Sequence, residues 1–258
     1  FYNGNENGEF LGNRTDIIKR NWGEQPFYKA EQFGGEYKAN DFFGGNLKGV
    51  IKKLPYLKDL GISVIYLNPI FKAYSNHKYD TGDYETIDPM FGDEETFKEL
   101  CSKAKEMGIR IILDGVFNHV GREFWAFKDV QQNLQNSVHC SWFQNLNFGG
   151  SSPMGDPFWY EGWSGHYDLV KLNLQNPYVV EHLLNAVGMW MDEFGIDGLR
   201  LDVADCVDMN FLKQLRIFCK GKRPDFWLMG EIIHGDYSRW ANNDTLDSVT
   251  NYECYKGI

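Results

Sequence analysis

The sequence predicts an α/β fold in which helices cover a parallel β-sheet, and three observations support this prediction. Helix-like stretches with one apolar face alternate along the chain with short apolar strands. Three of these stretches end at a glycine, which takes the left-handed conformation easily, and an isoleucine follows each glycine directly. The strands are nearly continuous apolar runs, which is typical of parallel strands buried beneath helices.

The repeating units follow one another in order. Helix-like stretches stop at Gly61, Gly108 and Gly195, and the strands ISVIYLNPIF, IRIILDGVF and IDGLRLDVAD come next. Asn176 and Pro177 begin the third helix, because asparagine caps a helix and proline suits its first position. Two shorter units complete the series, since FLKQLRIFCKG leads to FWLMGEI and a loop leads to LDSVTNY. The pattern therefore predicts five strands.

Two segments depart from this alternation. The first 49 residues are rich in glycine, asparagine and aromatic residues, and we expect ordered loop there. The stretch from 120 to 170 is too long for an ordinary loop and is interpreted as an inserted subdomain. The chain is thus divided into an N-terminal part at 1–119, the inserted subdomain at 120–170, and further strand–helix units at 171–258.

The composition limits the classes of function. The 258 residues are 43% hydrophobic and 24% charged, which is ordinary for a globular domain with a sizeable core. A net charge of -10 argues against nucleic acid and anionic membranes as partners, because both would repel the chain. No apolar run approaches the roughly 18 residues of a membrane span. The five cysteines lack zinc-site spacing and are expected to be free thiols.

Polar residues fall at the carboxyl ends of the predicted strands. One strand runs into Asp114 and His119, the next carries Arg200 and Asp202, and the following one ends at Glu231. In parallel α/β folds the loops that leave these strand ends converge, so sites assemble there. The sequence therefore predicts a functional site at this edge of the sheet.

Arg200 and Asp202 are two residues apart, so they project from the same side of their strand. We expect the guanidinium to keep the buried Asp202 ionised, as a nucleophile requires. Glu231 follows the apolar run FWLMG, a setting expected to favour the protonated form and so a general acid. Two carboxyl groups in unlike settings suit glycoside hydrolysis. The alternative is a buried ion pair that only fixes the strand register.

Several motifs resemble glycoside hydrolase family 13, the α-amylase family. DGVFNH, GLRLDVAD and GEIIH are similar to three blocks of that family, in the right order. SNHKYDTGDYETIDPMFG and DLVKLN resemble its neopullulanase, cyclomaltodextrinase and maltogenic amylase branch. The resemblance covers nearly the whole chain. It implies a TIM (β/α)8 barrel of the α-amylase type, with the inserted subdomain after the third barrel strand.

The same resemblance implies a retaining α-glucan hydrolase that cleaves α-1,4 or α-1,6 bonds in maltooligosaccharides, cyclodextrins or pullulan. Asp202 would form a covalent glycosyl-enzyme, Glu231 would be the acid/base, and Asp114 would brace the strand ends. Hydrolysis and transglycosylation are both open. Substrate binding is assigned to four further residues: Tyr79, His119, Arg200 and His234.

Compared with the family, the chain is expected to be a central fragment with an incomplete barrel. The resemblance places the first barrel strand before Phe1, and a third carboxylate, preceded by histidine, beyond Ile258. We expect such a piece to be weakly active or inactive, and its unpaired edge strands to favour association as a homodimer. The alternatives are a non-catalytic carbohydrate-binding relative and a sucrose- or trehalose-converting enzyme. Cytoplasmic and secreted locations are both open.

A calcium site is a further expectation. NGNENG places Asn3, Asn5 and Asn7 at alternate positions before Gly8, as in loops whose oxygen atoms bind calcium. The resemblance adds Gly44 and Asn46 to this site. Asparagine in place of aspartate lowers the charge, and ordinary Asn-Gly turns are the alternative. A second calcium site found in many amylases is expected to be absent, because Cys206 stands where that site has histidine.

Overall fold

The computed structural model describes residues 2–35 and 38–256, and its largest sheet has five strands. In chain order the strands are β1 (Ile18–Lys19), β2 (Asp41–Phe42), β3 (Val64–Leu67), β4 (Arg110–Gly115), β5 (His119–Gly121), β6 (Gly162–Trp163), β7 (His166–Lys171), β8 (Gly198–Leu201), β9 (Trp227–Gly230) and β10 (Ser248–Val249). The helices are α1 (Leu47–Asp59), α2 (Glu94–Glu106), α3 (Trp125–Asn133), α4 (Pro177–Met189), α5 (Met209–Lys222) and α6 (Tyr252–Lys256).

The five-stranded sheet has the order β3-β4-β8-β9-β10, and every neighbouring pair is parallel, as predicted. Its register places Asp114 opposite Arg200, and Arg200 opposite Met229. Apart from the strands of the insert, neighbours in the sheet are also successive in the chain, which is how the wall of a (β/α) barrel is built. The sheet therefore brings the carboxyl ends of β4, β8 and β9 side by side.

Helix α4 begins at the predicted residues, and the three predicted glycines follow the ends of helical segments. Asn176 caps α4 by accepting the N–H of Tyr178, and Pro177 is the first helical residue. The predicted stop glycines have positive φ angles: 86° at Gly61, 68° at Gly108 and 69° at Gly195. Helix α4 continues through one π-helical turn before it ends at the last of these.

An aromatic core joins the helices to the carboxyl end of the sheet. Trp190 stacks on Phe71 and on Phe117, with ring centroids 4.5 and 6.1 Å apart. The Trp190 indole N–H donates to the backbone oxygen of Tyr84 at 2.8 Å, which satisfies its one polar group. Phe211 of α5 meets Phe117 edge to face. This packing fixes the loop that follows β4, where the polar residues begin.

The stretch expected to form an inserted subdomain contains a separate sheet. Strands β5 and β6 both pair antiparallel with β7, between them spanning residues 119–171. Arg122 binds Asp156 through two hydrogen bonds of 2.6 and 2.9 Å within this part. The domain boundaries at 119 and 170 stay a prediction. Among the described residues, no helix is both long and apolar enough to span a bilayer.

Candidate active site

One guanidinium group organises the carboxyl edge of the sheet. Arg200 Nη1 donates to both oxygens of Asp114 at 3.0 Å and to Asp202 Oδ1 at 2.9 Å. Arg200 Nη2 lies 2.8 Å from Glu231 Oε2. Three carboxylates from three neighbouring strands thus share one cation. Because both bind the same guanidinium, Asp202 and Glu231 lie well within the roughly 10 Å that separates the carboxyl pairs of glycosidases.

The charge of Asp202 differs from the expectation. Burial and, to a smaller extent, the charge of the neighbouring Asp114 raise the pKa of Asp202 from 3.8 to about 7, although Arg200 opposes both effects. The sequence showed a single arginine beside a single aspartate. In the structure that arginine is shared, so it does not hold Asp202 fully ionised at neutral pH. The prediction of a permanently charged Asp202 is wrong for this reason.

Glu231 lies in a more polar setting than its sequence neighbours indicated. Its Oε2 accepts the N–H of Val203 at 3.0 Å in addition to the bond from Arg200. Val203 has a φ of 41° and a ψ of 48°, a left-handed conformation that is unfavourable for a β-branched residue. This turn aims the N–H of Val203 at the glutamate. The apolar run before Glu231 thus does not by itself determine the contacts of its carboxyl group, and its role as the general acid stays a prediction.

Two tyrosines pack over the guanidinium. The Tyr66 hydroxyl donates to Asp114 Oδ2, and its ring centroid lies 5.8 Å from Arg200 Cζ. The Tyr79 ring lies 6.0 Å from the same atom. Burial is the main cause that raises the pKa of both phenols. Both rings therefore stay neutral and stabilise the cation through their π faces.

His119 faces the nucleophile candidate from β5. Its Nε2 lies 3.8 Å from Asp202 Oδ2. Burial lowers the pKa of His119 to about 4, so the imidazole is neutral at physiological pH. Within the described part of the chain, this Nε2 is buried and has no hydrogen-bond partner. Such a nitrogen is available to a hydroxyl group of a ligand in the cleft.

Arg200, Asp202, Glu231, Tyr79 and His119 line a cleft of about 390 Å³. The structure brings together five of the six residues assigned to catalysis or substrate binding. His234 is exposed on the loop after β9, outside the described residues that line the cleft, and its role stays a prediction. The lining residues are His77, Tyr79, His119, Trp163, Leu169, Arg200, Asp202, Val203, Glu231 and Ile233.

Sequence reasoning missed three contacts. Tyr66 could have been found, because it is a polar residue in an otherwise apolar strand. Trp163 lines the cleft, and its ring lies 5.6 Å from that of His119, but its sequence context is only a loop rich in aromatic residues. Tyr252 donates its hydroxyl to Glu231 Oε1 at 3.1 Å, and no feature of its sequence indicates this contact.

A larger cavity of about 590 Å³ adjoins the cleft through His77. Its lining is rich in aromatic and glycine residues, and among the described residues Asp41, which is paired with Arg20, is the one carboxylate there. This part of the chain thus gives the larger cavity no pair of acids, so volume alone does not identify the chemical site. The smaller cleft contains the pair of carboxyl groups, Asp202 and Glu231.

The four residues expected to bind calcium do come together. Asn3 Oδ1 accepts from Asn46 Nδ2 at 3.2 Å, and a Cβ atom at Gly44 would lie 3.0 Å from Asn3 Nδ2. This set offers no carboxylate, and the side-chain oxygens of Asn3 and Asn46 each already accept two hydrogen bonds. Calcium prefers several charged or unshared oxygen ligands. These residues therefore do not fit a calcium ion.

The fold and the cleft together define a class of protein. A parallel α/β sheet that brings an arginine, two aspartates and a glutamate together at its carboxyl edge, beside a cleft, is an arrangement that glycoside hydrolases use. The chain matches the model of the α-amylase catalytic domain over residues 1–257. It belongs to the α-amylase family.

Relatives of similar sequence include a cyclomaltodextrinase and a neopullulanase. The chain is 42% identical over 234 residues to the cyclomaltodextrinase of Thermoanaerobacter pseudethanolicus, covering 90% of this chain and 38% of that protein. It is 46% identical over 216 residues to neopullulanase 2 of Thermoactinomyces vulgaris, covering 83% of this chain and 36% of that protein. The chain thus spans less than two fifths of these relatives.

A solved structure of a glycoside hydrolase is also similar to this chain. The ligand-free cyclic α-maltosyl-(1→6)-maltose hydrolase from Arthrobacter globiformis superposes with a TM-score of 0.83 at 35% identity. The match covers 97% of this chain and 52% of that one. Neighbours of this kind have the TIM-barrel fold of the family, so the five-stranded sheet described above is of the α-amylase type.

Proposed function

We propose that the protein containing this chain is a retaining α-glucan hydrolase. The observation that carries the proposal is the shared guanidinium, which fixes Asp202 and Glu231 on one side of a cleft of sugar-ring size. A carboxyl pair about 5 Å apart would lead to retention through a covalent glycosyl-enzyme. We further propose that the sheet forms part of a full eight-stranded barrel.

In this mechanism each carboxyl group uses the oxygen that Arg200 leaves free. Arg200 binds Oδ1 of Asp202, so Oδ2 attacks the anomeric carbon and forms the glycosyl ester. Arg200 binds Oε2 of Glu231, so Oε1 donates the proton to the leaving oxygen. Glu231 then takes a proton from water, and that water releases the sugar with its original configuration.

The walls of the cleft support a glucan as substrate. Tyr79 and Trp163 offer apolar ring faces to the sugar, and His119 Nε2 offers a hydrogen bond. The named relatives act on cyclomaltodextrins and pullulan, so we propose α-1,4 and α-1,6 bonds in maltooligosaccharides, cyclodextrins and pullulan. Association as a homodimer is part of the same proposal, and sedimentation velocity of the intact protein tests it.

The test uses the intact protein with maltotriose, β-cyclodextrin, pullulan and sucrose. We expect glucose and maltose units released first as the α-anomer by NMR. A fluorinated α-glucosyl fluoride should label the peptide that contains Asp202, and the Asp202→Asn variant should not be labelled. The Asp205→Asn variant is the control, because Asp205 is exposed and three residues away.

Other outcomes would separate the alternatives. Binding of maltotriose without turnover would favour a non-catalytic carbohydrate-binding protein. Release of the β-anomer would rule out retention, and turnover of sucrose alone would indicate a different substrate class. Labelling at another residue would remove Asp202 from its role as nucleophile.

A further inference from the structure

The N-terminal segment is fixed to the start of helix α1 by a network of side-chain amides. Asn46 is fully buried, and its Oδ1 accepts the N–H groups of Gly4 and Gly49 at 3.0 and 2.9 Å. It thus caps α1 and holds the segment at the same time. The two glycines touch, since a Cβ atom at Gly4 would lie 2.3 Å from the Gly49 nitrogen.

The remaining amides close the loop on itself. Asn3 Nδ2 donates to the backbone oxygens of Gly8 and Glu9 at 3.0 and 3.2 Å. Asn5 Nδ2 donates to the same Glu9 oxygen at 2.7 Å. Asn3 Oδ1 accepts the N–H of Asn5 at 2.9 Å and Nδ2 of Asn46 at 3.2 Å. The backbone oxygens of Gly8 and Glu9 thus bind amide nitrogens where a cation would have to bind them.

We propose that this amide network is a metal-independent anchor. The amide groups of Asn3, Asn5 and Asn46 hold the segment by hydrogen bonds, and the protein binds no calcium there. The reason is the chemistry of the amide group, because a neutral amide can donate through its nitrogen to the backbone oxygens and accept through its oxygen from the backbone N–H groups. A carboxylate at these positions could accept but not donate, and it would need a cation to bridge it to the backbone oxygens. This inference is independent of the proposed glucan hydrolysis.

The test compares the thermal midpoint of the intact protein in calcium chloride and in EDTA. A site filled to a hundred times its Kd would raise Tm by roughly 5–10 °C in a domain of this size. We expect a shift below about 1 °C for the wild type. The Asn3→Ala variant should lower Tm equally in both buffers, because it removes hydrogen bonds and no metal.

A gain-of-function variant makes the test sharper. In Asn5→Asp with Asn46→Asp, two donors are lost and carboxylates face Asn3 Oδ1 and the Glu9 oxygen. We expect a lower Tm than wild type in EDTA and a rise of several degrees when calcium is added. The control is Asn13→Asp, the same chemical change at an exposed asparagine outside this loop, which should gain no response to calcium.

A calcium-dependent rise of several degrees in the wild type that disappears in Asn3→Ala would overturn the proposal. A rise that persists in Asn3→Ala would place the metal elsewhere in the intact protein, and the anchor would stand. A double aspartate variant that is as stable as wild type in EDTA would also contradict it, because the lost donors would then have carried no stability.

Discussion

Replacing Asp202 by asparagine should stabilise the protein while it abolishes turnover. The folded state holds the Asp202 carboxyl with a pKa of about 7, against an ordinary value of 3.8 that applies to the unfolded chain. Between these values the folded state binds a proton that the unfolded state does not. The wild type therefore loses stability as pH rises from about 4 to about 7. Asparagine resembles the protonated carboxyl, so the variant avoids this loss.

The size of the effect follows from the same shift. Each pKa unit corresponds to about 1.4 kcal/mol, so the variant should gain up to about 4 kcal/mol near pH 8.5 and about 2 kcal/mol near pH 5. Arg200 keeps two carboxylate partners, Asp114 and Glu231, in the variant. The gain is therefore not cancelled by an unpaired buried cation.

The assay is equilibrium unfolding in urea at the two pH values, with the free energy extrapolated to zero denaturant. The Asp205→Asn variant is the matched control, and its stability should follow that of the wild type at both pH values. The reasoning is refuted if Asp202→Asn is no more stable than wild type near pH 8.5. It is refuted equally if the gain is the same at both pH values, because the effect would not then come from titration of Asp202.

Four further outcomes follow from the same cleft. Initial rates of maltotriose cleavage should fall about 10²–10⁴-fold in Glu231→Gln with an unchanged circular dichroism spectrum, because the general acid is lost; retained activity would exclude that role. In Arg200→Lys, kcat should drop strongly, because an ammonium group cannot hold three carboxylates in a planar fork; a change in KM alone would contradict this. Tyr66→Phe removes the bond to Asp114 and should cost about 1 kcal/mol in urea unfolding and lower kcat more than it raises KM. The pH profile of kcat/KM should fall below about pH 7 as Asp202 is protonated, and an acidic limb near pH 4 would show that its pKa is not raised.

Local features of the fold could be predicted from the sequence. Gly61, Gly108 and Gly195 mark helix ends because a left-handed residue is needed there, and that requirement is local to a few residues. The cap at Asn176 is equally local. The order of the strands follows from the alternation of helix and strand, because each connection returns the chain to the next parallel strand.

The electrostatics of the cleft could not be predicted in the same way. The spacing of two residues shows that Arg200 and Asp202 share a face, but only the register between β4 and β8 brings Asp114 to the same guanidinium. The polar setting of Glu231 depends on the left-handed turn at Val203. Because valine rarely adopts this conformation, its presence in the sequence does not predict such a turn. Asp114 and Glu231 bind Arg200 from distant positions in the chain, so their effect on its charge cannot be predicted from local sequence.

The role of the asparagines shows the same limit. The alternating asparagines predicted a turn whose oxygen atoms bind calcium, and the family resemblance added Gly44 and Asn46 to it. The structure brings Asn3 and Asn46 together across 43 positions of the chain. Whether such a turn holds a cation depends on which amide atoms face inward. That orientation depends on partners that are distant in the chain, such as Gly4 and Gly49, whose N–H groups both bind Asn46 Oδ1.

Because one guanidinium binds Asp114, Asp202 and Glu231 together, substitutions at these positions should show strong epistasis. Removing one acid leaves the arginine with fewer competing partners and changes the charge felt by the two that stay, so double variants should depart from the sum of single variants. The effect of a substitution at one of these positions then depends on which residues stand at the other two. In a laboratory evolution experiment this cluster should alter as a block or not at all.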